Sequence, residues 1–295
     1  MNYKDEATKG FFLAIGAFVI WGVFPIFFKL FQGVSAWEIL IHRIIWSVVC
    51  MAMFFYFTGG FEQIKALISN KKTLNLLFLS GVMISLNWLI YVYAVSNSRI
   101  LEASLGYFMN PLVNIFVGFL VFKEQITPCG KAGIFIVFLA ILTQIYGIGD
   151  LPFISLMLPL SFAIYIGIRK FIKVAAMQGL FIETLLVFPI SMAYFFYLFA
   201  IDQNHFKADF NGFLMICSGI VTIIPLVMFN AATTRMKLTT LAYVQYLSPT
   251  LSMLVAVVIF NEELQTYKLI SFCLIWTAIA LISIESAINL RKDKR

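Results

Sequence analysis

Ten runs of apolar residues with almost no internal charge fill this 295-residue chain, near residues 10–31, 36–57, 73–95, 102–122, 128–146, 151–170, 178–200, 210–231, 240–260 and 266–287. A helix rising 1.5 Å per residue needs about 20 apolar residues to cross the ~30 Å of a bilayer's hydrocarbon. Each run meets that length. Hydrophobic residues make up 62% of the chain and charged residues 12%, against roughly 45–50% and about 25% in soluble domains. The expected fold is therefore all-α, a polytopic integral membrane protein with ten transmembrane helices and almost nothing left for a soluble domain.

Lys and Arg are spread unevenly among the connections. With a cytoplasmic N-terminus, the cytoplasmic segments hold 16 of them: Lys4, Lys9, Lys65, Lys71, Lys72, Lys123, Lys131, Arg169, Lys170, Lys173, Arg235, Lys237, Arg291, Lys292, Lys294 and Arg295. The outer loops hold three, Arg99, Lys207 and Lys268. The positive-inside rule then puts both termini in the cytoplasm. The net charge of +7 is a topology signal on this reading, not the solvated basic face that nucleic-acid binding requires. The first run is long enough to cross and is followed by no small-residue cleavage site, so it is not expected to be a cleavable signal peptide. Cys50, Cys129, Cys217 and Cys273 have no paired spacing and read as small core residues.

Residues 80–142 align without a gap on residues 218–280 at an offset of 138. Nine positions are identical, among them Ser80/Ser218, Gly81/Gly219, Pro111/Pro249, Phe122/Phe260 and Glu124/Glu262. A mid-span proline and a span-terminal glutamate, both rare types here, keep the same separation in each copy. Each block opens the last three of five spans. Five is odd, so a duplicated five-span unit enters the membrane from the other side, and the two halves are related by inverted topology. The division falls between residues 1–147 and 148–295.

Ionisable side chains inside a span cost at least a few kcal/mol on insertion scales and call for a partner, a water-filled cavity or an escape to the interface. From the helical rise, Glu38 sits ~3 Å into the second span, His42 ~9 Å and Arg43 ~10 Å. Lys29 and Glu102 lie at shallow depth in the same half of the first repeat. Arg169, Lys170 and Glu183 repeat the pattern on the opposite side: a basic end to the first span of a half, then an acid early in the second. Lys29, Glu38, His42, Glu102, Arg169 and Glu183 are the gating and coupling candidates. Snorkelling or helix-terminal placement is the plainer reading of the shallow ones. Arg43 is too deep for that and requires a carboxylate, freed carbonyls or a substrate. His42 stands four residues after Glu38 on one helical face, a pairing suited to a proton-linked switch or to simple bundle packing. His205, in a polar outer loop, has no expected role.

Proline interrupts six spans, at Pro25, Pro111, Pro159, Pro189, Pro225 and Pro249. Each frees a carbonyl and bends its helix, which is tolerated where the helix lines a cavity or is buried in protein. Pro25, Pro111 and Pro249 are the expected hinges. Asn110 and Asn114 beside Pro111, and Gln245 and Tyr246 before Pro249, place polar groups at the breaks, and Asn87, Trp88 and Tyr107 stand with them as candidate substrate contacts. Helix adhesion through Asn and Ser hydrogen bonds is the competing explanation.

Enzyme signatures are missing from the sequence. Gly147-Ile148-Gly149-Asp150 matches the string of intramembrane aspartyl proteases, but no second membrane aspartate completes a dyad. No phosphate-binding glycine loop, metal cluster or serine nucleophile appears. No enzyme activity and no cofactor are expected.

Several strings together resemble a known family. These are Trp21-Gly22 with Pro25 and Lys29, Glu38-Ile39-Leu40 with His42-Arg43 and Trp46-Ser47, Asn87-Trp88-Leu89, and above all Leu101-Glu102-Ala103-Ser104-Leu105-Gly106-Tyr107-Phe108 followed by Asn110-Pro111-Leu112-Val113-Asn114. The second half continues with Ser161-Phe162-Ala163, Tyr165, Arg169-Lys170, Ile182-Glu183-Thr184, Gly219-Ile220-Val221-Thr222, Pro225-Leu226 and Gln245-Tyr246. The chain resembles the RarD-type permeases of the EamA branch of the drug/metabolite transporter superfamily. It departs from them after Tyr165, where Ile166 precedes the expected glycine.

The resemblance implies two inverted five-helix repeats around a cavity lined mainly by spans 1, 3, 4, 6, 8 and 9, with spans 5 and 10 peripheral. It also implies a secondary permease of the bacterial inner membrane that moves a small metabolite or drug-like solute by alternating access. Arg43 would anchor an anionic group or an internal carboxylate, and a coupling proton would use His42, Glu38 or Glu102. A channel-like facilitator and a non-transporting scaffold or sensor are the alternatives. Nothing in the sequence sets an oligomeric state.

Overall fold

The computed structural model describes residues 3–172, 174–236 and 238–292. Of the basic residues that set the expected orientation, Lys173, Lys237, Lys294 and Arg295 lie outside the described residues. Within them the chain is all helix: α1 (Tyr3–Gly22), α2 (Phe24–Lys29), α3 (Ala36–Thr58), α4 (Phe61–Ile68), α5 (Lys71–Ser96), α6 (Ile100–Phe122), α7 (Pro128–Ile148), α8 (Phe153–Lys170), α9 (Ala176–Ala200), α10 (Phe210–Thr233), α11 (Leu238–Val244), α12 (Leu247–Leu254) continued by a π turn (Val255–Ile259), and α13 (Thr266–Lys292). Nine apolar segments have the length to cross a membrane, α1 and α2 counting as one. The tenth, α11 to the π turn, is broken in its middle. The chain is an all-α polytopic membrane protein.

Helix starts follow the capping chemistry of the sequence. Ser35 Oγ accepts from Glu38 N (3.2 Å), Asn70 Oδ1 from Thr73 N (3.1 Å), Thr127 Oγ1 from Gly130 N (3.1 Å) and Asp209 Oδ1 from Gly212 N (2.9 Å). Each satisfies an N–H that the first turn of a helix leaves unpaired. Alternate connections lie on two faces of the bundle. The terminal face carries residue 3, α4 and the α6–α7 and α8–α9 connections; the far face carries the α2–α3, α5–α6 and α9–α10 connections.

The prolines act differently from the expectation. Helical hydrogen bonding is interrupted near Val23, where Ile26 N turns to Val23 O (3.0 Å), and around Gln245–Tyr246, where Ser248 N reaches Gln245 O (3.3 Å). Pro25 and Pro249 lie just inside the segments that follow those breaks. By contrast Pro111, Pro159, Pro189 and Pro225 sit within helices that continue through them. One lost bond does not end α6, whose two sides pack on α8 and α12. Carbonyls near the two real breaks find partners across the halves: Ser252 Oγ donates to Gly22 O (3.1 Å), and Ser104 Oγ to Pro249 O (2.7 Å).

Helix pairing has a regular pattern. α3 packs on α10 as α5 packs on α9; α1 packs on α10 and α12 as α8 packs on α5 and α6; and α3 meets α9, α6 meets α12 and α7 meets α13. Exchanging each helix for the one in the same serial position of the other half maps this set onto itself. α7 and α13 are the least buried of the spans and pack on one another, at the edge of the bundle.

Residues that match in the sequence also match in geometry. Lys123 and Asn261, each preceding a glutamate, both adopt left-handed φ of 54° and 52°. Glu124 N bonds Gly118 O (3.3 Å) and Glu262 N bonds Ala256 O (2.9 Å), the same six-residue closure. Gly81 lets α5 cross α9, and Gly219 lets α10 cross α3. A Cβ on Gly81 would lie 2.8 Å from the Glu183 carbonyl oxygen, and one on Gly219 2.5 Å from the Trp46 carbonyl carbon. Backbone cannot yield as a side-chain tip does. Gly219→Val is expected to cost about 1–3 kcal/mol or more through overpacking, read as a lower unfolding midpoint in detergent; an unchanged midpoint would mean that the crossing is loose.

Candidate functional site

Arg43 is the eighth residue of α3 and is 4% exposed. Its Nε donates to Thr222 Oγ1 of α10 (2.9 Å), and that hydroxyl donates to Ser218 O (2.8 Å). The guanidinium carbon lies 4.2 Å from the Trp88 ring centre, 5.4 Å from that of Phe28 and 5.7 Å from that of Phe24. An aromatic face attracts a cation and holds a planar guanidinium in a fixed attitude. The charge is thus packed against rings on α2 and α5 and tied to α10.

A polar path runs beside this cage. The Tyr107 hydroxyl donates to Asn87 Oδ1 (3.3 Å), and Asn87 Nδ2 donates to Leu158 O (2.8 Å) and Ser161 Oγ (3.1 Å) on α8. Tyr91 packs against both Tyr107 and Phe28. Arg43, Trp88, Asn87 and Tyr107 therefore come together, as the sequence suggests, on α3, α5 and α6 between the two halves. Asn110 and Asn114 lie further along α6, each with a buried Oδ1 that has no hydrogen-bond partner. Gln245 stands at the break before α12. Tyr246 does not join the cage: its ring stacks on Phe108, which meets Phe272 and Trp276 of α13. Tyr107 and Phe108 are neighbours about 100° apart around α6 and so serve different clusters.

The gating candidates sort by partner. Arg169 and Glu183 meet as expected, at 3.3 Å, and the fully buried Glu183 also accepts from Ser80 Oγ (2.6 Å) and the Tyr165 hydroxyl (3.4 Å). Among the described residues Lys29 meets no acid; it donates to Ser98 Oγ (2.6 Å) and Val95 O (3.2 Å). Glu102 is held by Arg99 in a two-bond fork (2.8 and 2.7 Å). Glu38 does not pair with His42. Its carboxylate accepts from the backbone N–H of His205 (2.6 Å) and meets His205 Nδ1 (2.8 Å), while His42 packs between Phe206 and Phe195 with neither ring nitrogen hydrogen-bonded. The i,i+4 spacing is right, but the α9–α10 connection brings a better partner to the buried carboxylate.

Sequence reasoning passed over three groups. His205 lies 167 residues from Glu38 in a polar loop, with no local signal. Thr222 reads as one hydroxyl among many. Glu262 carries the strongest role of the three: its two carboxylate oxygens accept from the first N–H groups of α6, Ile100 N (2.8 Å) and Leu101 N (2.9 Å). Its rarity and its match with Glu124 were the signal. Glu124 itself pairs with Lys170. Glu183→Gln leaves Arg169, whose side chain is 14% exposed, without a carboxylate. The expected loss is on the order of 3 kcal/mol, measured as the unfolding midpoint against wild type; an equal midpoint would show the pair contributes nothing.

A buried cation, aromatic rings and polar groups are thus set between helices long and apolar enough to cross a bilayer. Comparison with known proteins supplies the class. Residues 8–146 match the EamA-like transporter family. The chain is 37% identical over 289 residues to an uncharacterised transporter of Pseudomonas aeruginosa, covering 96% of each chain, and 37% identical over 292 residues to the RarD protein of Escherichia coli, covering 98% of this chain and 99% of that one. A RarD protein of Salmonella typhimurium is 38% identical over 289 residues, 97% of this chain and 98% of that one. A solved crystal structure shares the fold at a TM-score of 0.61 and 15% identity, covering 95% of this chain and 98% of its own. The chain belongs to the EamA-like transporter family, alongside the RarD proteins. It is a multi-pass membrane transporter for a small molecule, not an enzyme.

Proposed function

We propose that the chain is a secondary permease of the bacterial inner membrane, with both termini cytoplasmic, built from two inverted five-helix repeats that rock about the Arg43 cage to open alternately to either side. The helix pairing that maps onto itself on exchange of the halves is the observation that carries this reading. Inverted repeats of this kind place their solute near the midplane and expose it to each side in turn.

A difference between the two faces gives the rocking a concrete form. On the far face Glu262 caps α6, and Phe206 fills the crevice between the end of α9 and the start of α3, against His42 and Trp46. On the terminal face a hollow opens between the end of α3, the start of α9 and α10, lined by Phe54, Thr58, Met177 and Asn230. Glu124, the counterpart of Glu262, bonds Lys170 there. A second hollow, lined by Phe206, Asp209 and Phe213, lies at the far face, so what holds that face closed is the Glu262 latch on α6. In the opposite state Glu262 releases α6. A coupling proton would enter through Glu38 and His205, the pair that ties α3 to the far-face loop.

Solute counterflow tests the permease reading. Reconstituted protein loaded with one solute should accelerate uptake of the same labelled solute with saturable kinetics. Flux that rises without limit and shows no trans-stimulation would instead mark a channel.

A further inference from the structure

We propose that the solute held at Arg43 is a small organic monoanion, a monocarboxylate whose two oxygens engage the terminal nitrogens of the guanidinium; this rests on the permease reading above. Among the described residues, the charges proposed for gating, Glu183, Glu38, Glu102 and Lys29, each have a hydrogen-bonding partner. Glu183 has Arg169, Glu38 has His205, Glu102 has Arg99, and Lys29 has Ser98. Arg43 stands apart. It is almost wholly buried, only its Nε is hydrogen-bonded, and among the described residues no carboxylate lies within ion-pair distance. Arginine stays charged in proteins, and a buried charge without a counter-charge is costly.

Geometry and charge narrow the class of ligand. Trp88, Phe24 and Phe28 occupy the aromatic side of the guanidinium and Thr222 takes Nε, which leaves the terminal nitrogens as the donors still unused. Two parallel N–H groups match the two oxygens of a carboxylate. A single cation balances a single negative charge. A phosphate monoester or dicarboxylate would bring a second charge into a cage whose remaining walls are rings and the hydroxyls of Tyr91 and Tyr107. The apolar walls favour an uncharged, apolar body behind the carboxylate.

The test uses matched probes on the purified full chain in lipid nanodiscs: benzoate, benzamide and benzylammonium, then butyrate, butyramide and butylammonium. Thermal stabilisation is recorded together with Trp emission, which reports Trp88 against a Trp88→Phe control. At least one carboxylate should stabilise wild type and change Trp88 emission where its amide and ammonium partners do not. Arg43→Gln should weaken that carboxylate by about 30-fold or more. Arg43→Lys, which keeps the charge and loses the fork, serves where the glutamine variant fails to fold and should weaken it by about 10-fold. Response to neither carboxylate, equal response to an amide or ammonium, or unaltered carboxylate affinity in the folded variants overturns the proposal. Counterflow of a neutral or cationic solute with no carboxylate response keeps the permease and removes the anion. Carboxylate binding at Arg43 without counterflow of that carboxylate does the reverse.

Discussion

Arg43→Ala is expected to abolish transport while leaving the protein folded. Arg43 is the only deeply buried cation without an acidic partner among the described residues, so its removal breaks no ion pair. Thr222 keeps its bond to Ser218 O, so the α10 side of the cage stays satisfied. The stability cost is the lost packing against Trp88 and Phe28, within the few kcal/mol of a large-to-small change. Binding loses the whole charge-assisted fork. Counterflow in proteoliposomes is expected to fall by about 100-fold or more, with the helical circular dichroism spectrum and monodispersity of wild type. Wild-type flux in the alanine variant would refute the role given to Arg43.

Glu262→Ala is expected to open the far face. Two hydrogen bonds from a charged carboxylate to Ile100 N and Leu101 N join the end of the ninth span to the start of the fourth. Bonds to charged groups contribute about 1.5–3 kcal/mol each. Losing both shifts the balance between closed and open by at least ~100-fold, since 1.4 kcal/mol is a factor of ten. A cysteine at Ile100, which is fully buried, in a background lacking the four native cysteines, should pass from slow to rapid reaction with a membrane-impermeant maleimide added to that side. Glu124→Ala should not have this effect, because Glu124 lies at the other face and bonds Lys170. Equal labelling rates in Glu262→Ala and wild type would remove Glu262 as a latch.

Much of the architecture was legible because membrane spans are set by length and polarity. The ten apolar runs, the pairing of Ser80-Gly81 with Ser218-Gly219 and the depth of Arg43 follow from local rules, and Gly81 and Gly219 occupy equivalent crossings. The breaks were less legible. Near Val23 and Gln245 they depend on Ser252 and Ser104, more than 140 residues away, which accept the task of bonding carbonyls there. Pro111 carries the local signal for a break, but α6 runs through it because its flanks are packed. Near Arg43, Trp88 and Tyr107 could be singled out as aromatics beside polar or broken positions, and Asn87 through the family resemblance. The Glu38–His205 contact was not, since loop conformation alone brings those residues together. Helix-end glutamates could be seen as a repeat but not as latches until the N–H groups of α6 were placed.

Pulsed electron spin resonance measures the reciprocal motion of the two faces directly. One spin-label pair spans the far face at Ser98 and Glu263; the other spans the terminal face at Lys123 and Arg235. Comparing wild type with Glu262→Ala, the far-face distance should lengthen while the terminal-face distance shortens. Both distances lengthening together, or the terminal face holding still as the far face opens, would contradict alternating access by inverted repeats.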